Sequence, residues 1–485
     1  MAGYKEGQRL VLLDLPDEVL VEIVKYLPPP HNPEGCIEEE IYGNGVETFR
    51  ATCRKAFHLC DPLWWKCLSV HTYGQYDRIR GFLSRDALRP LYVRHLELMP
   101  DYRFIREVDE NLQDMAALTS LCPNLERLCI WPKSYLDDAG CKRLVKRWEA
   151  VLATHFQLAN FSKLQYCYLR LWMFRPKLRQ SLVMPLLRAS RLVDLTLEST
   201  DLRGLWLDSI PMHSTALKKL KLLRCWVDEP TLAAILGAPQ SLDSFEISLQ
   251  FRHEAGPITG EEEYRLLLQG IELLTRLQPN LVSLGLTFQD GAGLEVEMLN
   301  DVFDFSPLRC LKELTLNALS TYFFRPLLQR LEAPSLWCPV NGLYKLPASL
   351  ERINLLSETE DIDLAGLADA LLRHRYAGKS LPTSLRLFCD VQKEHERPLT
   401  AAEQVTEDRS LAAIETLMTQ LAFVEIKYLK RWFVHDEDRL NGNIYSCTRA
   451  LEVKRTANAA IVDNSGLNSG SFEMKEDTYS ELEFF

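Results

Sequence analysis

The chain has 485 residues, of which 47% are hydrophobic and 25% charged, with a formal net charge of −11 and a pI of about 5.6. These values are those of a folded chain long enough for several ordinary domains or one long repeat array. The acidic balance argues against general nucleic-acid binding, and no apolar run reaches signal-peptide or membrane-span length, so a cytosolic or nuclear location is expected.

The first element is read over LDLPDEVLVEIVKYLP, ending at Pro28. Pro16 suits a first helical position, where its missing N–H is no loss. Asp17 and Glu18 put negative charge in the first turn, where the helix dipole favours it. Leu20, Ile23, Val24 and Leu27 recur with the spacing of one helical face, and the run Pro28-Pro29-Pro30 stops the helix. The acidic segment 31–47 reads as a solvated loop. Next, Phe49, Cys53, Phe57 and Cys60 share a face, with Arg50, Arg54 and Lys55 off it. Asp61-Pro62 reads as a break and restart, after which Leu63, Trp64 and Cys67 form a further apolar stripe. Cys53, Cys60 and Cys67 lie seven apart. Zinc needs ligands gathered from at least two elements, so these thiols read as small apolar residues on buried helical faces.

A Leu-Pro pair opening an amphipathic helix, then Cys-Arg-Lys, then a Trp pair resembles the F-box. That is a three-helix module which docks onto the Skp adaptor of cullin-RING ubiquitin ligases. The resemblance implies adaptor contacts by Leu15, Pro16, Leu20, Ile23, Leu27, Cys53, Arg54, Trp64 and Trp65, shared with internal packing. It also implies cullin and RING subunits reached through the adaptor. Residues 10–70 would form this helical domain, with the insertion at 31–47 longer than the family's usual connection. Residues 71–92 would be a linker, and the stretch 78–98 resembles the junction of fungal F-box proteins.

From about residue 90 a phrase recurs: apolar, two variable, apolar, one variable, apolar. It appears as VRHLEL at 93, LERLCI at 125, LQYCYL at 164, LVDLTL at 192 and LKKLKL at 217. It continues as LDSFEI at 242, LVSLGL at 281, LKELTL at 311 and LERINL at 350, with a weaker copy from Leu385. Starts lie between 25 and 39 residues apart. Segments with a 3.6-residue apolar period fall between the phrases, at 136–156, 229–238, 261–277, 295–303 and 363–375. The repeat resembles the leucine-rich repeat. The best copy, LKKLKLLRCWV, carries Cys225 at the Asn/Cys position that in the family caps backbone groups at the strand's end. The resemblance implies an α/β solenoid over 93–400, with parallel strands on a concave face and helices on the convex one. Residues 401–461 would cap it, with a terminal helix or helix-plus-strand at 410–433. The Ser/Gly/acid-rich 462–485 would be disordered.

No nucleotide-loop, zinc-protease or nucleophile-elbow motif occurs, and no cofactor or metal site is expected; the chain reads as a non-enzyme. Strand alternation assigns residues to the concave face. These are Met99, Arg127, Trp131, Tyr166, Tyr168, Arg170, Asp194, Glu198, Lys219 and Lys221, then Ser244, Ser248, Ser283, Gly285, Thr287 and Thr315. Aromatics and arginines dominate protein interfaces. A protein substrate is therefore expected on Arg127, Trp131, Tyr166, Tyr168, Arg170, Lys219 and Lys221. The function implied is a substrate-recognition subunit of a Skp–cullin–F-box ubiquitin ligase. The alternative is a repeat scaffold, or an F-box protein in a cullin-free assembly. Neither nucleic acid nor membrane is expected as a partner.

Overall fold

A computed structural model describes residues 15–25, 52, 54–70, 73–99, 109–131, 139–170, 180–204, 211–250, 260–289, 303–317, 344–345, 347–357, 384–393, 425–435, 445–455 and 473–477. It is an α/β protein on open, mainly parallel sheet. Contacts divide the chain into two compact units. The first holds residues 1–172 and 181–192 with the last three residues, and the second holds 173–180 and 193–482.

The first unit opens with helices α1 (Asp17–Lys25) and α2 (Arg54–Trp64). The N–H groups of Val19 and Leu20 both reach the Pro16 carbonyl at 3.0 Å, so α1 starts where the Leu-Pro pair places it. The break expected at Asp61-Pro62 does not occur. Pro62 lies inside α2, and the ladder resumes beyond it with Trp65 N–H on the Asp61 carbonyl at 3.1 Å. The Trp pair therefore closes this helix.

Strand β1 (Cys67–Val70) follows at once, inside the range expected to be wholly helical. It pairs in parallel with β2 (His95–Leu98), then come β3 (Arg127–Ile130) and β4 (Tyr166–Arg170). The 71–92 segment, expected as a linker, carries helices α3 (Tyr73–Arg85) and α4 (Arg89–Tyr92). Helices α5 (Asp109–Leu121), α6 (Ala139–Leu158) and α7 (Gln180–Leu187) complete the alternation.

The phrase explains this architecture. Its first apolar residue is buried in the turn before the strand, as at Leu125 and Leu164. Its second and third point to one side of the strand, because strand side chains alternate. Register then aligns them into rows: Leu68, Leu96, Leu128 and Cys167, and beside it Val70, Leu98, Ile130 and Leu169. All are at most 6% exposed. Trp148, Leu152 and Phe156 of α6 supply the helical half of this core. Burying one such side chain is worth about 1.5–3 kcal/mol. Successive phrases are locked by a repeated fork in which two consecutive N–H groups share one carbonyl of the preceding phrase. Arg94 and His95 share Lys66 O; Glu126 and Arg127 share Arg94 O; Gln165 and Tyr166 share Glu126 O.

The second unit repeats the scheme with β5 (Asp194–Glu198), β6 (Lys219–Leu223), β7 (Ser244–Gln250), β8 (Ser283–Gln289), β10 (Glu313–Asn317), β12 (Arg352–Ser357), β13 (Ser384–Lys393) and β14 (Glu425–His435), all parallel. Helices α8 (Glu229–Gly237) and α9 (Gly260–Leu277) lie between strands, and a short parallel pair joins β9 (Phe303–Asp304) to β11 (Tyr344–Lys345). The core row Leu195, Leu220, Phe245, Leu284, Leu314 and Ile353 is at most 3% exposed. Glu425–His435, in the cap expected as a terminal helix or helix-plus-strand, is a strand, and 410–424 lie outside the described residues. Antiparallel β15 (Tyr445–Arg455) and β16 (Glu473–Asp477) follow it, so the tail expected to be disordered contributes a strand. The acidic insertion 31–47 and the expected helices at 363–375 and at 295–302 lie outside the described residues.

Candidate recognition face

At the N-terminal helices, Leu20 is fully buried and Trp65 is 4% exposed. Both expected adaptor contacts therefore serve internal packing. Trp65 donates its indole N–H to Asp61 at 3.1 Å and lies under the Arg89 guanidinium, 5.2 Å from the ring centre. Arg89 in turn bonds Asp61 at 3.3 Å, with both side chains mostly buried, which fixes α4 against the end of α2. Lys55 clips the two helices together by pairing with Asp17 at 2.9 Å and donating to the Leu15 carbonyl at 3.3 Å. Pro16 and Val19 are exposed, and Leu15, Ile23 and Trp64 are half-buried. Arg54 lies in the first turn of α2. Leu27 and Cys53 lie outside the described residues.

The polar side of the first unit's sheet gathers the residues that alternation assigns to it. One row runs Cys67, His95, Arg127, Tyr166, and the next Ser69, Glu97, Cys129, Tyr168. Arg127 stacks on Tyr166 with its guanidinium carbon 4.3 Å from the ring centre. Glu97 is clasped from both sides, accepting from Ser69 Oγ at 2.8 Å and from Trp131 Nε1 at 2.9 Å. Tyr168 and Arg170 are half-buried on β4. Met99 departs from the expectation. Strand β2 ends at Leu98, and Met99, the residue after it, is 2% exposed. The residues that do occupy this part of the face, His95 and Glu97, flank the phrase's fourth position and were legible by the same parity. Cys67 and Ser69 were hidden because Trp65 reads as helical, although Trp65-x-x-Leu68-x-Val70 is itself a copy of the phrase.

The electrostatics of this face are those of a neutral thiol–imidazole pair beside a cation. Cys67 Sγ and His95 Nδ1 are 3.3 Å apart. Burial pushes the Cys67 thiol above its ordinary value, against the pull of Lys66 and Arg127. Burial, with Lys66 and Arg127, holds His95 below its ordinary value, outweighing Glu126. Burial and then Glu97 push Cys129 to about 12. The thiolate is the nucleophilic form, so neither thiol is activated. Among the described residues no cluster of three His, Cys, Asp or Glu could hold a metal ion.

In the second unit the face carries ion pairs and small residues. Lys219 is exposed, and Lys221 bonds Glu246 at 2.9 Å. The Glu246 side chain leans over the next strand, where a β-carbon on Gly285 would come within 2.9 Å of Glu246 Cγ; only glycine leaves that room. Asp194, Ser244, Ser283 and Thr315 are half-buried. Glu198 and Ser248, at 8% and 5% exposed, are covered and unavailable as contacts. Thr287 lies on β8. Beyond β5 and β6 the backbone turns through the left-handed region at Ser199 and Arg224, 25 residues apart, with φ of 53° and 54°. Cys225 there donates its thiol toward the carbonyls of Leu197 at 3.2 Å and Leu223 at 3.4 Å. It thus caps two strand ends at once.

Neither a protein-family model nor a curated protein matches the chain.

Proposed function

We propose that the chain recruits a protein substrate to a Skp–cullin–F-box type ubiquitin ligase. In this reading α1 and α2 belong to an F-box, and the strand–helix array is a degenerate leucine-rich-repeat domain presenting the substrate face. The observation that carries the reading is the direct attachment of a short helical pair to the first strand of a long parallel array. That pair keeps Pro16 and Val19 exposed and Leu15, Ile23 and Trp64 partly so, an apolar edge available to a partner. The array offers Arg127, Tyr166, Tyr168, Trp131 and Arg170 on one polar surface, the residue types that carry most interface energy.

The test is affinity capture of the full chain from cells with Leu15 and Pro16 intact or both replaced by Ala. The double variant should lose Skp adaptor while retaining its melting temperature. Normal adaptor capture by it would refute the F-box reading. Co-purification of a cullin separates a ligase subunit from an F-box protein in a cullin-free assembly.

A further inference from the structure

The polar face has a two-by-two block that the assigned surface does not use. Register sets Arg352 beside Ser384 and Asn354 beside Arg386 on neighbouring strands. Each of the four has a buried polar atom without a partner among the described residues: Arg352 Nε, Asn354 Oδ1, Ser384 Oγ and Arg386 Nε. Asn354 and Ser384 are only 8% and 7% exposed. The Asn354 amide cannot be turned round. Its Nδ2 faces Glu313 Oε1 at 2.6 Å and Thr315 Oγ1 at 3.0 Å, and a carboxylate only accepts, so Oδ1 must point away from Glu313. A buried polar group left unpaired costs about 1–3 kcal/mol. Four such atoms lie in adjacent register positions.

We propose that this block binds the free C-terminal carboxylate of a polypeptide. The inventory is two guanidinium N–H donors and a hydroxyl next to one carbonyl acceptor. An anion alone would satisfy the donors and leave Asn354 Oδ1 orphaned. A terminal residue carries a carboxylate and its own amide N–H two bonds from the carboxyl carbon. The block measures about 4.8 Å across the strands and about 6.6 Å along them, a span that one residue's carboxylate and N–H can bridge. A side-chain carboxylate stands farther from its backbone N–H and fits less well. Charge selects a monoanion over a phosphate. Arg352 already shares Glu313 at 3.3 Å, and the Glu313 carboxylate beside the block repels a second negative charge. The inference deepens the substrate-face reading by naming the group recognised. It concerns binding by this chain alone, so loss of the adaptor reading leaves it standing.

The test titrates the full chain with N-acetylglycine, N-acetylglycinamide, acetate and inorganic phosphate while following the arginine Nε–H resonances by NMR. N-acetylglycine should shift the Arg352 and Arg386 signals and bind at least about tenfold more tightly than the amide or acetate. R386Q should lower its affinity by about tenfold or more. S384A, a smaller change that carries the test if R386Q fails to fold, should lower it severalfold. Equal binding of the amide or of acetate, tighter binding of phosphate, or no shift with any of the four would overturn the proposal.

Discussion

Replacing Gln278 with Met removes a polar knot without opening a cavity. Gln278 follows α9 and is 2% exposed. Its Oε1 accepts the Leu242 N–H at 2.8 Å, and its Nε2 donates to the carbonyls of Leu236 at 2.8 Å and Pro239 at 3.1 Å. One side chain thus ties the end of α9 to the end of α8 and to the turn that enters β7. Met keeps the length and volume but can satisfy none of the three groups. The orphaned Leu242 N–H costs roughly 1–3 kcal/mol. Each carbonyl costs less, because a second lone pair remains for another donor. Burial of a more apolar side chain returns about 1 kcal/mol. The net loss is roughly 2–4 kcal/mol, about 30- to 1,000-fold in the local opening constant. Amide hydrogen exchange reads this directly, since protection of Leu242 should fall by about that factor. The Glu variant supplies a sign check. A buried carboxyl facing two carbonyls has its pKa raised, so the folded state holds its proton longer than the unfolded one. The Q278E penalty should therefore be small at low pH and grow as pH rises through the raised pKa. If Q278M leaves Leu242 exchange within about threefold of the parent, the hydrogen bonds are not holding this turn.

Two further outcomes are expected. C225A removes a fully buried thiol that reaches two strand-end carbonyls, and should lower stability by about 1–2 kcal/mol in thermal denaturation; an unchanged melting temperature would show that backbone bonds such as Ser199 N–H to Leu223 O and Trp226 N–H to Thr200 O hold these strand ends without the thiol. His95 is held below its ordinary value when folded, so the unfolded chain binds the extra proton first. Stability should be fully present above about pH 6.5 and decline as pH falls through the lowered pKa. H95Q should flatten this part of the stability–pH curve, and an identical curve for the variant would refute the assignment.

The apolar rows were legible because they depend only on period. A phrase with its second and third apolar residues two apart fixes one face of a strand, and Leu128, Leu220 or Leu284 could be placed by counting. Arg127 and Tyr166 were assigned to one face by the same parity, and register makes them neighbours. What was not legible depends on distant partners or on where a strand stops. Met99 shares parity with Glu97 yet is 2% exposed, one residue beyond the end of β2. Trp65 reads as helical from its neighbours, which hides β1 immediately after it. Pro62 reads as a helix break, but a proline removes only one ladder bond, and tertiary contacts of Asp61 with Trp65 and Arg89 hold the turn. Gln278 has no local signature at all. Its three partners lie 36 to 42 residues away.

The polar rows differ from the apolar ones in a way that bears on recognition. An apolar row repeats because every phrase must bury the same two positions, so its residues vary only among Leu, Ile, Val, Phe and Cys. A polar row is under no such constraint, and its composition changes along the array. In the first unit Glu97 is clasped by Ser69 and Trp131, and Arg127 lies on Tyr166 although its buried Nε has no hydrogen-bond partner among the described residues. At β6 and β7 charge is again closed internally, by Lys221 and Glu246. At β12 and β13 it is not closed. Asn354 spends its donors on Glu313 and Thr315, and among the described residues its Oδ1, Ser384 Oγ and Arg386 Nε have no partner. A folded sheet gains nothing by keeping these groups dry and unpaired, since apolar residues of similar size would cost less. Their placement on adjacent strands is therefore explained by a ligand group that carries both an anion and an N–H, and the preorganised block loses little entropy when it binds.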